Sequence, residues 1–440
     1  MITIINSKKI LSSLVVASLF SYANVSFAAA FQLWEQDGAS IGNYHAGRSA
    51  EANDASTAFY NPAGLVRIPN QQLVAAVDPI STNFLYDGTI VVDLMIDNEP
   101  MYTKGQGGSL NFVPSLHYSA PIFSNLVFGL SVIAPFGLET NYGKESYVRY
   151  AATRTGLQIV DISPSVGFAI TKKWSIGAGA DFQYSEANFD LVATAWDPVL
   201  DTNATNSLSG HGTGFHAGIL YQPTENTRIG LSYHSKVTHH LDDGTSKFTG
   251  ELANGGEGGV QENENLYTTA TIPATTSLSV FSAINKTWDL MTTISYTEWS
   301  VFENIYLYNV SGIDENIEES NTITVIIPQN YCNTWNFSLG ANYHVNEQWF
   351  IRTGAGYDKT PSNDEDRNLQ LPDADRWAVA LGAHFQPNEK VGLDVGWTHF
   401  FSNTVPVTST QQVGGQITTL NGEVTGNGDV FGVQVVWNMI

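Results

Sequence analysis

The chain has 440 residues, with 42 Asp and Glu against 19 Lys and Arg, a formal charge of −23 and one cysteine. So few basic residues cannot build the cationic clusters that phosphate backbones require, which excludes nucleic acid as a partner, and the lone Cys332 excludes an intramolecular disulfide scaffold. Beyond the N-terminal segment no run of about 18 apolar residues occurs, so no membrane-crossing helix is expected.

In chain order, the first expected element is a secretory signal peptide at residues 1–28. Lys8 and Lys9 precede an apolar run from Ile10 to Phe20, and Ser26 and Ala28 suit cleavage before Ala29. Its removal takes away two lysines and no acid, leaving 412 residues and a formal charge of −25. Residues 29–70 follow without strand alternation, rich in small residues and turn-formers, and close on the stretch AFYNPAGLVRIPN. There Pro62 fixes a turn and biases Asn61 away from helical backbone.

Strand patterns run from Gln71 to the end. Fourteen are expected, starting near residues 71, 111, 126, 157, 174, 212, 227, 276, 288, 334, 349, 376, 390 and 429. The clearest alternate almost without error: Val391, Leu393, Val395 and Trp397 share one face, opposed by Gly392, Asp394, Gly396 and Thr398. The gaps alternate too. Long connections at about 81–110, 135–156, 190–211, 240–275, 298–333, 358–375 and 402–428 interleave with short turns such as PIFSN, TKK, NKT and PNE, which puts both chain ends on the short-turn side.

Long loops on one end, short turns on the other and an even strand count indicate an all-β fold, a 14-stranded antiparallel transmembrane β-barrel at residues 71–440. A closed sheet leaves no backbone group unpaired in lipid. Trp174, Trp288, Trp349, Tyr221 and Phe385 cluster at the short-turn ends as an interfacial girdle would. A secreted β-sandwich also alternates, but it has no reason to sort its loops by length. A barrel this wide has a lumen, and residues 29–70 are read as a hatch that plugs it, against the alternative of a disordered periplasmic tail. The C-terminus VFGVQVVWNMI presents Phe431, Val433, Val435, Trp437 and Met439 on one face and fits a signal resembling those read by the barrel-insertion machinery, except that it ends in Ile440 rather than Phe.

Taken together, several stretches resemble the FadL-type long-chain fatty acid and hydrocarbon transporters (OMPP1/FadL/TodX) of the Gram-negative outer membrane. They are Ala29, Phe31, Gln32 and Leu33; Gly42, Ala46 and Gly47; Asp54; Asn61, Pro62 and Ala63; VPSLHYSAPI at 113–122; SVIAPFGLET at 131–140; YTEWSVF at 296–302; and FIRTGAGYDKTP followed by LPDADRWAVALG. The resemblance spans essentially the whole mature chain. It implies a hatch gated around Asn61, Pro62 and Ala63, and a third strand kinked inward at Pro135, Phe136 and Gly137 to open the wall sideways. On the residues alone, Pro135 and Gly137 would equally mark the strand's end at a long loop.

The implied function is passive transport of long-chain fatty acids and similar hydrophobic molecules, with neutral or aromatic hydrocarbons as the alternative. The implied surroundings are the lipid bilayer and lipopolysaccharide. Ala29, Phe31 and Arg352 are candidate ligand contacts. DFQYSEANFDLV and TVIIPQNYCNTW lack a basic residue that a fatty-acid carrier can present to a carboxylate, which leaves Arg352, Arg376 and Arg67, with Arg376 equally readable as an interfacial residue. No cofactor, metal or catalytic residue is expected. The adjacent His239 and His240 face opposite sides of a strand, Asn363–Arg367 reads as a solvated acidic loop rather than a cation bridge to lipopolysaccharide, and Cys332 has no companion that would support a lipase. A general porin is the remaining class, and the hatch separates it from a plugged carrier.

Overall fold

The computed structural model describes residues 30–93, 99–194, 198–312, 322–413 and 415–439; the expected signal peptide and Ala29 lie outside the described residues. Fourteen antiparallel staves close into a barrel. They are β1 Gln71–Val92, β2 Leu110–Phe123, β3 Leu126–Asn141, β4 Arg154–Ala169, β5 Trp174–Ala193, β6 Thr202–Tyr221, β7 Thr227–His234 resumed at Val237–Thr249, β8 Thr275–Ala283, β9 Trp288–Thr297, β10 Thr334–His344, β11 Trp349–Asp358, β12 Arg376–Asn388, β13 Val391–Ser402 and β14 Gln416–Met439. β1 pairs with β14 from Gln71↔Met439 to Val92↔Thr418, so the sheet has no free edge between first and last stave. Short strands at Met101–Gln106, Val260–Asn263 and Thr268–Ile272 prolong the wall at its loop end.

Several staves outrun the sequence pattern. β1 continues to Val92 instead of ending near residue 80, β6 begins at Thr202 rather than near Gly212, and β14 begins at Gln416 rather than near Asp429. The segments missed, such as Thr202–Gly210, carry polar residues on both faces. Above the lipid the outer face meets water and the apolar residues sit on the inner face instead, as Phe84, Tyr86, Ile90 and Val92 of β1 and Leu420 and Val424 of β14 do, so the lipid-facing stripe is missing there.

Within the membrane the alternation has its expected meaning. Leu393 and Val395 of β13 and Val379 and Leu381 of β12 are exposed on the outer wall, while Asp394, Thr398, Ala378 and Ala380 are buried inside. At the short-turn end Trp174 stacks on Tyr221 at 4.2 Å between ring centroids and Trp349 on Phe385 at 4.3 Å.

The lumen holds residues 30–70. Their backbone turns through short helical segments at Gly38–Ile41, Arg48–Glu51, Thr57–Tyr60 and Pro62–Arg67. Four non-glycine residues here, Ala30, Tyr44, His45 and Ala52, have left-handed backbone, which costs energy that surrounding contacts must offset. The segment fills the barrel interior, so the hatch reading stands and the tail alternative does not.

Candidate functional site

The ladder between β2 and β3 runs from Phe123↔Leu126 to Leu116↔Val132 and stops. β3 nevertheless keeps β4 as its partner up to Asn141↔Arg154, with a register shift: Ile133 faces Asp161 and Phe136 faces Ile159. Ala134 and Pro135 therefore oppose a single residue, a bulge that bends the strand, and Pro135 has no N–H to lose at the bend. Pro135 and Gly137 do not end the strand, because β3 runs on to Asn141. At the far end of β3 the Asn141 amide donates to the carbonyl of Gly107, in the connection that precedes β2, at 2.9 Å.

In between, the hatch takes up the backbone groups that β2 leaves. Leu33 N–H donates to the Pro135 carbonyl at 2.9 Å, Gly137 N–H donates to the Phe31 carbonyl at 2.8 Å, and Gln32 sits opposite Phe136 in antiparallel pairing. The Gln36 side chain completes the exchange, donating to Ala134 O at 2.7 Å and accepting from Ala134 N–H at 3.2 Å. The start of the hatch thus adds a short strand to the kinked stave.

Phe31 is fully buried at this junction, edge-on to Trp299 at 4.8 Å and to Phe302 at 5.1 Å. On its loop side lies an apolar chamber walled by Phe31, Leu138, Ile159, Phe302, Ile305 and Leu371. On its turn side lies a second cavity, which Gln32, Pro135 and Phe136 share with the polar groups Arg48, Asp181 and His234. The Gln32–Phe136 pairing is the partition between an oily compartment and a polar one. Burial of the Ala30 amide against Asp373, which accepts its hydrogen bond at 2.9 Å, anchors the partition from the loop side.

The Asn61–Ala63 turn sits at the opposite, short-turn end of the hatch. Asn61 has extended backbone, and its side chain donates to the carbonyls of Ser49 at 2.6 Å and Ile219 at 3.1 Å while accepting from Ala63 N–H at 3.1 Å. The wall makes room with glycines: a Cβ on Gly177 would lie 2.3 Å from the Pro62 carbonyl carbon, and one on Gly218 would lie 1.9 Å from Asn61 Oδ1. The turn is therefore pressed directly against bare backbone of β5 and β6.

Arg352 is buried and paired with Asp394 at 2.5 Å, and it lines neither cavity. Arg376 is not interfacial: it is 1% exposed inside the barrel and pairs with Asp358 at 2.9 Å. Arg67 donates to Gln222 at 2.8 Å near the short turns. The Asn363–Arg367 segment is turned in on itself, with Arg367 paired to Asp364 and Asn363 bonded to Asp366. Cys332 is exposed.

The cation that does face a cavity is Arg48, which reading the sequence had passed over. It pairs with Asp37, lies 3.5 Å from Glu51, donates to Ser56 Oγ at 2.9 Å and stacks over the Tyr60 ring at 4.5 Å. Burial raises the Asp37 carboxyl, but the Arg48 guanidinium and the Ser40 amide outweigh it and hold it below the usual carboxylate range. For Glu51 burial wins over Arg48 and pushes the carboxyl up. No local sequence signal marks this role, since Arg48 lies between Gly47 and Ser49 in a stretch without strand alternation.

Comparison with known proteins agrees with this architecture. The model of the family described as outer membrane protein transport protein (OMPP1/FadL/TodX) matches residues 19–438. The long-chain fatty acid transport protein of Escherichia coli O6:H1 is 26% identical over 87% of this chain and 89% of its own length. Outer membrane protein P1 of Haemophilus influenzae is 27% identical over 94% and 95%. Among solved structures, a Pseudomonas aeruginosa FadL homologue superposes with a TM-score of 0.79 at 25% identity, covering 93% of this chain and 100% of its own. The Pseudomonas putida toluene transporter TodX shares the fold, with a TM-score of 0.62 at 16% identity, covering 88% and 94%.

Proposed function

Because the chain belongs to the OMPP1/FadL/TodX family of Gram-negative outer membrane transport proteins, we propose that it carries long-chain fatty acids and similar hydrophobic molecules inward and releases them sideways at the kinked β3. The observation that carries this reading is the apolar chamber closed by Phe31 beside the stretch where β2 and β3 do not pair. An acyl chain of about fifteen methylenes gains on the order of 12 kcal/mol on leaving water, at roughly 0.8 kcal/mol for each CH₂. A water-filled pore would forfeit that gain, whereas a chamber walled by Phe31, Leu138, Ile159, Phe302 and Ile305 gives the chain an apolar surface to lie against. Exit through the wall keeps the chain in apolar surroundings throughout.

Passage requires the Phe31–Leu33 strand to leave β3. A ligand drives this only as far as it binds the displaced state better than the closed one. Phe31, Trp299 and Phe302 line or abut the chamber, so an acyl chain competes for the same ring faces that hold Phe31 in place.

Among the described residues, no Lys or Arg lines the chamber. That observation favours a second reading, in which neutral and aromatic hydrocarbons are the main cargo. Uptake of labelled oleate and labelled toluene by cells lacking their own carriers separates the two. Oleate entry above the empty-cell level supports the first reading, toluene entry alone supports the second, and neither ligand entering faster than in empty cells overturns both.

A further inference from the structure

The polar cavity on the turn side of the partition holds a constellation unrelated to apolar cargo. Asp181 on β5, His216 on β6 and His234 at the end of the first part of β7 each offer a ligand atom, and these atoms lie within 4.8 Å of one another. Asp181 and His234 face the cavity. His216 is fully buried; its Nε2 donates to the hatch carbonyl of Ala58 at 3.1 Å, which turns Nδ1 toward Asp181 Oδ1 at 2.7 Å. With Nε2 carrying its hydrogen, Nδ1 and a carboxylate oxygen are two acceptors at contact distance, so a proton or a metal ion must lie between them.

The surroundings are built for this group. A Cβ on Gly179 would lie 2.1 Å from His216 Cε1, so the imidazole occupies space that only glycine leaves open. The His234 ring is nearly parallel to that of His216, with centroids 5.3 Å apart, and lies 4.5 Å from the hatch residue Phe59. Beside them Asp161 is 1% exposed and lines the same cavity, and its Oδ1 has no hydrogen-bond partner among the described residues. Two buried carboxylates next to two imidazoles form a site that a divalent charge would complete.

We propose that Asp181, His216 and His234 bind a first-row divalent cation of the zinc type inside the barrel, with Asp161 balancing its charge and a cavity-facing position left for water. Two imidazoles and one carboxylate suit zinc, copper or nickel rather than magnesium or calcium. A tetrahedral zinc ion sets ligand atoms about 3.4 Å apart, so the His216–Asp181 contact opens and His234 closes in, each by on the order of 1 Å. The cation displaces the shared proton on binding. The Ala58 carbonyl is the outer partner that orients the His216 ring, as backbone carbonyls do around metal-bound histidines. Since β5, β6, β7 and the Ala58–Phe59 segment all meet here, the ion fastens the hatch to the wall.

The test is Zn²⁺ and Co²⁺ titration of the purified full-length protein in detergent, by calorimetry and by visible absorption. One Zn²⁺ per chain is expected, with Co²⁺ giving the intense visible bands of a low-coordinate N/O site. His234→Ala and the shape-conserving His234→Gln should each weaken binding by at least about tenfold and abolish the bands, while His399→Ala, on a distant histidine, should leave both intact. Absence of Zn²⁺ binding, or equal binding by wild type and both His234 variants, would overturn the assignment; the second result would identify other histidines as the binders.

Discussion

The wall and the hatch are held by different forces. In the wall, backbone groups pair from stave to stave and the outer side chains alternate into lipid, so each stretch of β12 or β13 is stabilised by its own neighbours. Apart from the short pairing of Phe31–Leu33 with β3, the hatch has no such ladder. Its turns are short, four of its non-glycine residues carry left-handed backbone, and it is fastened through polar cross-links such as Asn61 to Ile219 and Gln36 to Ala134. Hydrogen bonds of this kind contribute about 1 kcal/mol each. Fastening by separate stitches makes the loosening of the hatch readable apart from that of the wall.

The largest expected effect comes from removing the plug. Deletion of residues 30–70 should leave the fourteen staves assembled and turn a poorly conducting protein into an ion-conducting pore in planar bilayers; unchanged conductance would mean that the hatch does not occlude the lumen.

Next in size is an insult to the hatch floor. Gly177→Ala and Gly218→Ala drive a methyl into Pro62 and Asn61, and each should destabilise hatch docking by about 1–3 kcal/mol. Gly156→Ala is the matched control, since its nearest neighbour would be 3.7 Å away. Hydrogen exchange of hatch amides should rise in the first two variants alone. Equal exchange in all three would show that the wall does not clasp the Asn61–Ala63 turn.

A smaller effect is expected from Asn61→Ala, which strips partners from the Ser49 and Ile219 carbonyls and the Ala63 amide. At about 1–2 kcal/mol the exchange of residues 49–64 should quicken roughly tenfold, with the staves unaffected. If stave amides quickened in parallel, the two regions would be one cooperative unit.

The smallest effect is the pH response of the Asp37–Arg48 pair. Its folded carboxyl titrates below the ordinary value of 3.8, so its stabilisation is complete above that pH and is lost as pH falls through the lowered value. Ser40, whose amide bonds Asp37 at 2.7 Å, should lose exchange protection in that acidic window, and Asp37→Asn should remove the pH dependence. Protection that declined equally in both proteins would assign the response to other carboxyls.

The wall was legible because lipid imposes a strict period of two, as in Val391–Thr398, and loops sorted by length gave the closure. Stave ends above the lipid were not legible, because the lipid-facing stripe ends there: in Thr202–Gly210 the outer residues are Asn203, Thr205, Ser207 and Ser209, and only Ala204 and Leu208 are apolar on the buried face. The hatch was recognisable from what it lacked, and its meaning was not. Nothing local in Phe31, Trp299, Phe302 or Leu371 shows that residues up to 340 positions apart meet in one chamber. The stretches SVIAPFGLET, YTEWSVF and LPDADRW are related in space by the partition: they supply Phe136, Trp299 and Asp373, all gathered at the start of the hatch. Arg48 was missed for the converse reason, since a buried ion pair leaves no periodic trace.

The central claim is sideways exit at the kink, and deletion of Pro135 tests it most directly. Ala134 and Pro135 oppose one residue of β4, so losing one of them restores a continuous register and straightens β3. The barrel, assayed by its surface abundance and heat resistance, should be retained while uptake of labelled oleate or toluene falls to the empty-cell level. Uptake at the wild-type rate through a straightened third strand would contradict the account.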